Sequence, residues 1–330
     1  MILILSDDQF QSSIDEIILW IHTLKGDYVR LNEFSPKNYT YLKIDFNEDA
    51  IYFEGTKIDF ESINVIWHYR FGSKEQEEPR LKLNSELGGV EENVFHQLNK
   101  TNDTVSQYFF TKIANKVWFN LPRHSKVNKL HVLNTAIKIG LKIPKSLIST
   151  NKKELKDFII ENNENVITKP IWEVFSFSKN NTLYSSYTST VRSNDSFFND
   201  REDCLPTLIQ ENVDKRFEIR TFFIDGRFYS MAIFSQESDQ TKNDFRVYDR
   251  HRPNRTIPYK LPEMIENKLS RLMTELQLKT GSIDLIYTWS NEHVFLEINP
   301  VGQFAMTSKP CNYYLERKIA ETLIKYDKKS

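Results

Sequence analysis

The stretch that decides the fold is Gly281-Ser282-Ile283-Asp284-Leu285-Ile286-Tyr287, followed by Glu292-His293-Val294-Phe295-Leu296-Glu297-Ile298-Asn299-Pro300. Both parts are rich in apolar and β-branched residues, which are typical of strands. A short polar segment, 288–291, separates them. The pattern therefore predicts two strands joined by a tight turn.

Three oxygen-bearing side chains stand out in this hairpin. Because residues i and i+2 of a strand face the same side, we expect Glu297 and Asn299 to point together. Leu296 and Ile298 should then face the other side. Asp284 on the paired strand can reach the Glu297 face. Two carboxylates and an amide oxygen form the all-oxygen set that Mg²⁺ prefers, although a hairpin with a solvated acidic face is the alternative.

Length and composition limit the class of protein. With 330 residues the chain exceeds a typical domain of about 100–200 residues, so we expect two or three lobes. Lys and Arg total 44 against 45 Asp and Glu, and this balance provides no global attraction for nucleic acid. The two cysteines make neither a disulfide framework nor a CxxC metal site, and free thiols fit a reducing cytoplasm. The apolar start, Met1 to Leu5, is too short for a signal peptide or a membrane span, so no membrane partner is expected.

The order of predicted elements indicates three parts. A strand-helix-strand order predicts an open α/β lobe over residues 1–120. Leu121-Pro122 marks a boundary. A helix that ends at Gly140, a typical C-cap residue, then opens a central lobe over 121–190. Antiparallel strands, a long helix, the hairpin described above and a final helix form the last lobe, 191–330.

An Asp on one strand with Glu-x-Asn-Pro at the end of the next resembles the metal-binding core of ATP-grasp ligases. Further segments spread over nearly the whole chain narrow this resemblance: Val65-Ile66-Trp67-His68-Tyr69-Arg70, Asn128-Lys129, Gly140-Leu141-x-Ile143-Pro144, Ile167-Thr168-Lys169-Pro170, Gln210-Glu211-x-Val213, Glu218-x-Arg220, Asn243-Asp244-Phe245-Arg246, Leu261-Pro262, and Asp284 with Glu297-Ile298-Asn299-Pro300-x-Gly302-Gln303. With them the layout more closely resembles the peptide macrocyclases that make graspetides, the microviridin-type ligases, with a grasp-with-spasm maturase as the nearest branch. One departure is the run 67–70, where the family pattern would be Trp-Tyr-Arg-Arg. The resemblance implies α+β lobes in an ATP-grasp fold, with an N-terminal open α/β pre-ATP-grasp lobe.

The resemblance also implies which residues hold the nucleotide. Lysines at the positions of Lys129 and Lys169 contact it in ATP-grasp proteins, and a compact ammonium suits phosphate oxygens. Gln210, Glu211 and Val213 match the positions that read the adenine edge at the hinge between the lobes. For both lysines, the alternative is an ordinary solvated surface residue.

The segment 215–220 alternates between polar and apolar residues. We therefore expect Arg216, Glu218 and Arg220 to share one face. The resemblance implies that this face is catalytic and that Arg220 lies beside the transferred phosphoryl group, where a guanidinium suits an acyl-phosphate. The alternative is an edge strand with mutually neutralising charges.

A long polar connection, 235–258, precedes the last helices and strands. Connections of this length are usually functional or disordered. Its Asp244 and Arg246, together with Arg216, are candidates for binding the substrate peptide, and a mobile solvated loop is the alternative for this connection.

The resemblance implies a reaction as well. ATP would phosphorylate a Glu or Asp side chain of a precursor peptide, and a Thr or Ser hydroxyl (or a Lys amine) would attack the acyl-phosphate and close an ω-ester (or ω-amide) ring. Asp284, Glu297 and Asn299 would hold two Mg²⁺ ions, and positioning with charge neutralisation would supply most of the catalysis. The implied partners are a precursor peptide with a leader segment and a second copy of the chain in a homodimer. Two alternatives stay open: a ligase that joins amino acids to a protein carboxyl terminus or to each other, and a non-catalytic nucleotide- or peptide-binding module.

Overall fold

The computed structural model describes residues 1–6, 12–32, 42–69, 71, 91–124, 127–172, 176–179, 182–186, 188–199, 201–236 and 253–328. The chain divides into two compact units, Met1–Ser125 with Tyr314–Ser330, and Lys126–Tyr313. The last helix therefore belongs to the same unit as the first strands. The predicted division between a central and a final lobe, at 190/191, stays a prediction.

The first unit is built on a parallel sheet in the order β2-β1-β6-β7. Its strands and helices are β1 (Ile2–Ser6), α1 (Ser12–Thr23), β2 (Tyr28–Asn32), β6 (Val65–Tyr69), α2 (Glu91–Lys112), β7 (Val117–Phe119) and α7 (Leu315–Asp327), and a small antiparallel sheet adds β3 (Leu42–Asp45), β4 (Ala50–Phe53) and β5 (Thr56–Lys57). Every residue of β1 is buried, as the apolar run predicts for a parallel strand covered on both faces. α1 buries Ile14, Ile17 and Ile21 along one stripe and packs against α7.

The second unit contains two larger antiparallel sheets and a two-stranded one. The four-stranded sheet has the order β12-β9-β13-β8, and the five-stranded sheet has the order β16-β15-β14-β17-β18. The elements are α3 (Lys129–Ile139), β8 (Ser146–Asn151), α4 (Lys152–Glu161), β9 (Val166–Thr168), β10 (Ser176–Lys179), β11 (Thr182–Ser185), β12 (Ser189–Thr190), β13 (Asp203–Glu211), β14 (Lys215–Ile224), β15 (Arg227–Phe234), β16 (Arg255–Tyr259), α5 (Glu263–Glu275), β17 (Thr280–Thr288), β18 (His293–Asn299) and α6 (Ala305–Cys311).

One face of the five-stranded sheet carries the main core of this unit. Ile219, Leu285 and Phe295 pack there against residues of α3 and α5. Because side chains alternate along a strand, the opposite face is left to Glu218, Arg220 and their neighbours.

Two local features depend on positive φ angles, and the first of them confirms the prediction for Gly140. Gly140 follows α3 as its C-cap with φ +85°, and its N–H donates to the carbonyl of Ile137. The dipeptide Asp225-Gly226 forms the two-residue turn between β14 and β15, with positive φ at both residues (46° and 81°). Positive φ at both positions is what a tight hairpin turn requires.

In the described part of the chain, no helix combines the length and the apolar character needed to cross a membrane.

Candidate active site

A cleft of about 640 Å³, which includes space open to solvent, lies within the second unit. One wall comes from the four-stranded sheet and the segment that leaves it, and the other wall comes from β14, β17 and β18. The lining residues are Pro144, Ile167, Lys169, Thr188, Gln210, Glu211, Asn212, Val213, Lys215, Glu218, Asp284, Ile286, Leu296 and Glu297. The cleft thus lies between residues of the four-stranded sheet with its connecting loops and charged side chains of the five-stranded sheet.

The two predicted carboxylates stand directly opposite each other in this cleft. Asp284 on β17 pairs with Glu297 on β18, and Ser282 pairs with Asn299 two residues further along. Directly opposed residues of an antiparallel pair have their Cβ atoms about 4.5–5.5 Å apart. Both carboxylates can therefore reach one common ligand.

The predicted alternation fails at Leu296. Asp284 pairs with Glu297 but Leu285 pairs with Phe295, so Leu296 is the extra residue of a β-bulge. The bulge brings Leu296 to the cleft beside Glu297, whereas Phe295 and Ile298 lie in the core. The prediction that Leu296 and Ile298 share the face away from the site was therefore wrong for Leu296.

Asn299 has a local role in addition to its predicted one. Its side-chain oxygen accepts a hydrogen bond from the N–H of Val301, at 3.2 Å. An amide oxygen has two lone pairs, so one lone pair stays available for a cation. Glu297 lies two residues before Asn299 on β18, and Asp284 lies opposite Glu297 on β17. The two carboxylates and the amide oxygen together form a donor set that fits Mg²⁺. Within the described ranges, no group of three or more acidic, histidine or cysteine side chains converges, so the site is not a preformed multi-carboxylate cage.

A buried arginine supports the first carboxylate. Arg220 on β14 pairs with Asp284 across the strands, and its Nη1 lies 3.1 Å from both Oδ1 and Oδ2. The guanidinium is only 3% exposed, and its Nε has no hydrogen-bond partner among the described residues. A donor without a partner at this depth suits an anionic group of a ligand.

A second buried pair lies next to it. The ammonium of Lys215 contacts the carboxylate of Glu218, which also accepts a hydrogen bond from the hydroxyl of Ser235, at 3.1 Å. Burial raises the pKa of Glu218 above its ordinary value, and the charge of Lys215 acts in the opposite direction. Lys215 and Glu218 both line the cleft. Sequence reasoning missed Lys215, although it begins the segment that carries the predicted catalytic residues.

The predicted grouping of Arg216 with Glu218 and Arg220 was wrong. Lys215 pairs with Thr288 and Phe217 pairs with Tyr287, so Arg216 is the extra residue of a second bulge. Its side chain is exposed, and its guanidinium lies 5.7 Å from the centre of the Trp289 ring. Lys215 occupies the place beside Glu218 that Arg216 was expected to fill.

All five residues predicted to hold a nucleotide line this region. Lys169, Gln210, Glu211 and Val213 line the cleft, and Lys129 lines an adjoining cavity of about 380 Å³ that shares Lys169, Leu296 and Glu297 with it. The side chain of Gln210 is buried and donates to the hydroxyl of Ser146, at 2.8 Å. The carboxylate of Glu211 accepts the N–H of Lys145, at 3.1 Å. These two side chains therefore tie the segment that lines the cleft to the residues before β8 and at its start.

The second carboxylate also has a basic neighbour. The Nζ of Lys129, at the start of α3, lies 3.7 Å from Oε2 of Glu297. This is an ion pair without hydrogen-bond geometry. The other predicted residues, Asp244 and Arg246, lie outside the described residues, as does Arg70.

Solved structures identify the fold. The macrocyclase MdnC from Microcystis aeruginosa, solved with its precursor peptide MdnA, superposes with a TM-score of 0.80 at 23% identity, over 98% of this chain and 99% of that chain. A RiPP-associated ATP-grasp ligase from Chryseobacterium gregarium, solved with ADP and a leader and core peptide, gives 0.80 at 22% identity, over 98% and 95%. D-alanyl-alanine synthetase A from Vibrio cholerae gives 0.56 at 12% identity, over 100% and 98%. No family model and no curated protein match the sequence. The predicted ATP-grasp fold is therefore confirmed.

Proposed function

We propose that this chain, which has the fold of the ATP-grasp ligases, closes rings in a precursor peptide by joining acidic side chains to hydroxyl or amine side chains. The observation that carries the proposal is one cleft in which cationic residues, an opposed carboxylate pair and a buried arginine meet. That cleft lies in a chain whose fold matches two peptide-binding ligases over at least 95% of each partner.

The residues of the cleft suit the binding of ATP. The backbone of the segment 210–213 would read the adenine edge, because Gln210 and Glu211 use their side chains to hold it in place. Lys129 and Lys169 would bind phosphate oxygens from the α3 side. Asp284, Glu297 and Asn299 would hold Mg²⁺, two ions in our proposal, which neutralises the developing charge of the phosphates.

Arg220 would act on the activated peptide. A Glu or Asp carboxylate of the substrate attacks the terminal phosphorus of ATP, ADP leaves, and an acyl-phosphate forms. Arg220 would bind the oxygens of that acyl-phosphate, while Asp284 holds its guanidinium in place at 3.1 Å. A hydroxyl or amine of the same peptide then attacks the carbonyl carbon and loses its proton. The bond between that carbon and the phosphate oxygen breaks, inorganic phosphate leaves, and the new ester or amide bond closes the ring. The net change in the peptide is the loss of one water per ring.

The substrate-binding residues form the outer part of this proposal. The exposure of Arg216 beside Trp289 supports a role in contacting a peptide rather than the transferred phosphoryl group. Asp244 and Arg246 complete the set of candidate peptide-binding residues. The same proposal includes a homodimer without nucleic-acid or membrane partners. It also includes a cytoplasmic location, which fits the free thiols of Cys204 and Cys311.

The alternative is a ligase that joins amino acids to a protein carboxyl terminus or to each other. The shared fold with D-alanyl-alanine synthetase A supports it, but its TM-score of 0.56 is well below the 0.80 of the two peptide-binding ligases. A non-catalytic binding module is a further alternative, and the presence of both carboxylates and Arg220 argues against it.

The test measures the intact mass of a candidate precursor peptide after incubation with the protein, ATP and Mg²⁺. The candidate is a small Thr- and Glu-rich peptide encoded by a gene next to the gene of this protein. We expect the loss of one water per ring, with equimolar ADP and phosphate. Glu297→Gln should abolish the loss, and Lys142→Gln, which breaks the exposed pair with Glu292, should not. An unchanged peptide mass would contradict the proposal. If ADP formed instead when free amino acids were added, the result would favour the ligase that joins amino acids to each other.

A further inference from the structure

A buried hydroxyl close to the candidate metal ligands makes no hydrogen bond. Ser282 lies on β17 and is fully buried, and its Oγ has no hydrogen-bond partner among the described residues. Burial of a hydroxyl without a partner is unfavourable, and an alanine at this position would avoid it. Two other buried hydroxyls of the same sheet, those of Thr221 and Ser230, bond to each other at 2.8 Å. The hydroxyl of Ser282 therefore calls for a use in a state with ligands bound.

The register of the sheet shows which group can use this hydroxyl. Ser282 pairs with Asn299 across the β17–β18 ladder, and Asp284 pairs with Glu297 two residues away. Because side chains alternate along each strand, these four lie on one face of the hairpin. On the other side of Ser282, β14 places the apolar Phe222. The amide of Asn299 is thus the polar group directly opposite the hydroxyl, at the distance over which cross-strand side chains interact.

An asparagine must turn the correct end of its amide toward a cation. The amide oxygen binds a cation, whereas the NH₂ group is a donor that needs an acceptor elsewhere. The oxygen of Asn299 accepts the N–H of Val301, at 3.2 Å, and within the described ranges its Nδ2 makes no hydrogen bond. A hydroxyl that can accept therefore lies opposite an amide nitrogen that can donate, although the two groups are not bonded to each other in the structure.

We propose that Ser282 is a positioning residue for Asn299. When a divalent cation binds at the carboxylates, Nδ2 of Asn299 donates to Oγ of Ser282, and this bond keeps the amide oxygen directed at the cation. The inference rests on the metal site of the proposed function and adds a residue to it. Because the bond forms only with the cation bound, it strengthens cation binding and contributes nothing to folding without metal.

The decisive experiment compares metal affinity with stability in Ser282→Ala. Mn²⁺ affinity, measured from the electron paramagnetic resonance signal of free Mn²⁺, should fall about tenfold, at the lower end of what the loss of a group that orients a metal ligand typically costs. The free energy of unfolding without metal, measured by urea titration, should stay unchanged or rise, because the removed hydroxyl has no bonded partner. A serine with a merely structural role would not lower metal affinity while leaving stability intact.

Two controls isolate the contact with Asn299. Ser230→Ala removes a buried hydroxyl from β15 in the same sheet and leaves Thr221 without its partner. It should lower stability and leave Mn²⁺ affinity unchanged, the reverse of the pattern for Ser282→Ala. Asn299→Ala should weaken Mn²⁺ binding by itself, and in that background Ser282→Ala should cause no further loss, since coupled residues do not act additively.

Equal Mn²⁺ affinity of the wild type and Ser282→Ala would overturn the inference. A parallel loss of stability and affinity would also overturn it, and so would an undiminished effect of Ser282→Ala in the Asn299→Ala background. Mn²⁺ affinity that Glu297→Gln leaves unchanged would reject the metal site and the inference together. Ring closure with metal affinity independent of Ser282 would reject the inference alone, whereas dependence on Ser282 in a protein that closes no ring would reject the proposed function alone.

Discussion

His68 shows what burial does to a single titratable residue. It lies in β6 with 6% exposure, among the rings of Phe110 and Trp118, and its Nε2 is 3.1 Å from the carbonyl oxygen of Phe71. Burial penalises the charged imidazolium and lowers the pKa of His68 from 6.5 to about 4, although the contact with Phe71 acts in the opposite direction. The sequence departs here from the pattern of the family that it resembles, and in the structure His68 is a buried residue.

His68 therefore makes stability depend on pH. The unfolded chain binds a proton at this histidine below pH 6.5, whereas the folded chain binds it only near pH 4. The contribution of His68 to the free energy of unfolding is therefore complete above pH 6.5 and is lost as the pH falls toward 4. We expect the wild type to lose about 3 kcal/mol more than His68→Phe over this range, since each unit of pKa shift corresponds to about 1.4 kcal/mol. Urea unfolding at several pH values tests this. His22→Gln, at an exposed position of α1, is the control and should leave the wild-type slope unchanged. Parallel curves for the wild type and His68→Phe would contradict the prediction.

Arg220 forms a buried ion pair with Asp284. Arg220→Gln removes this contact from the Asp284 carboxylate, and removal of one member of a buried ion pair typically costs about 3–5 kcal/mol. We expect a loss of that size in the free energy of unfolding, measured by denaturant titration without metal or nucleotide. Arg271→Gln, at an exposed position of α5, should stay within about 0.5 kcal/mol of the wild type. A similar small loss for both variants would show that Asp284 is well solvated.

At the scale of elements, local signals predicted the strands and turns but not the bulges in the ladders between strands. The β17–β18 hairpin and the Asp225-Gly226 turn follow from residues close in sequence. The bulges at Arg216 and Leu296 depend on how β14 and β18 pair with β17, and simple alternation assumes a regular ladder. For this reason the carboxylate pair was foreseen, whereas the positions of Arg216, Lys215 and Leu296 relative to the cleft were not.

The turn at Gly226 offers a clean test of backbone conformation. A Cβ atom added at Gly226 would meet no atom within 4 Å, so its φ of +81° is the main constraint. Gly226→Ala should destabilise the unit by about 1–2 kcal/mol, the cost of left-handed backbone for an L-residue. Gly226→Asn should cost less, because Asn adopts this conformation more readily. Thermal unfolding of the wild type and the two variants measures these losses of stability. Equal stability of Gly226→Ala and the wild type would contradict the prediction.

At the scale of the whole molecule, the resemblance to ATP-grasp ligases predicted the fold but not the division of the chain. Residues of the candidate site recur from Lys129 to Asn299, and the motifs around them carry the resemblance that implied the ATP-grasp architecture. The return of α7 to the first unit left no local signal, because an amphipathic helix fits many partners. The roles of Asp244 and Arg246 stay predictions.

Ligand binding should act on the second unit, because the described cleft lies wholly within it. A non-hydrolysable ATP analogue with Mg²⁺, at about 100 times its dissociation constant, should add about 2.7 kcal/mol to the stability of that unit. Hydrogen exchange should slow in β9, β13, β17 and β18. In Glu297→Gln, the part of this protection that requires Mg²⁺ should be lost. Unchanged exchange in all four strands would place the nucleotide elsewhere.

The discontinuity of the first unit has a consequence for the order in which the chain folds. Residues 126–313 form one continuous segment, so the contacts of the second unit can form without the segments on either side of it. The first unit is completed only when α7 returns to α1, across the whole length of the second unit in sequence. Because contacts between residues far apart in sequence form slowly, we expect the first unit to complete its packing after the second. The apolar face of α1 should stay uncovered until then.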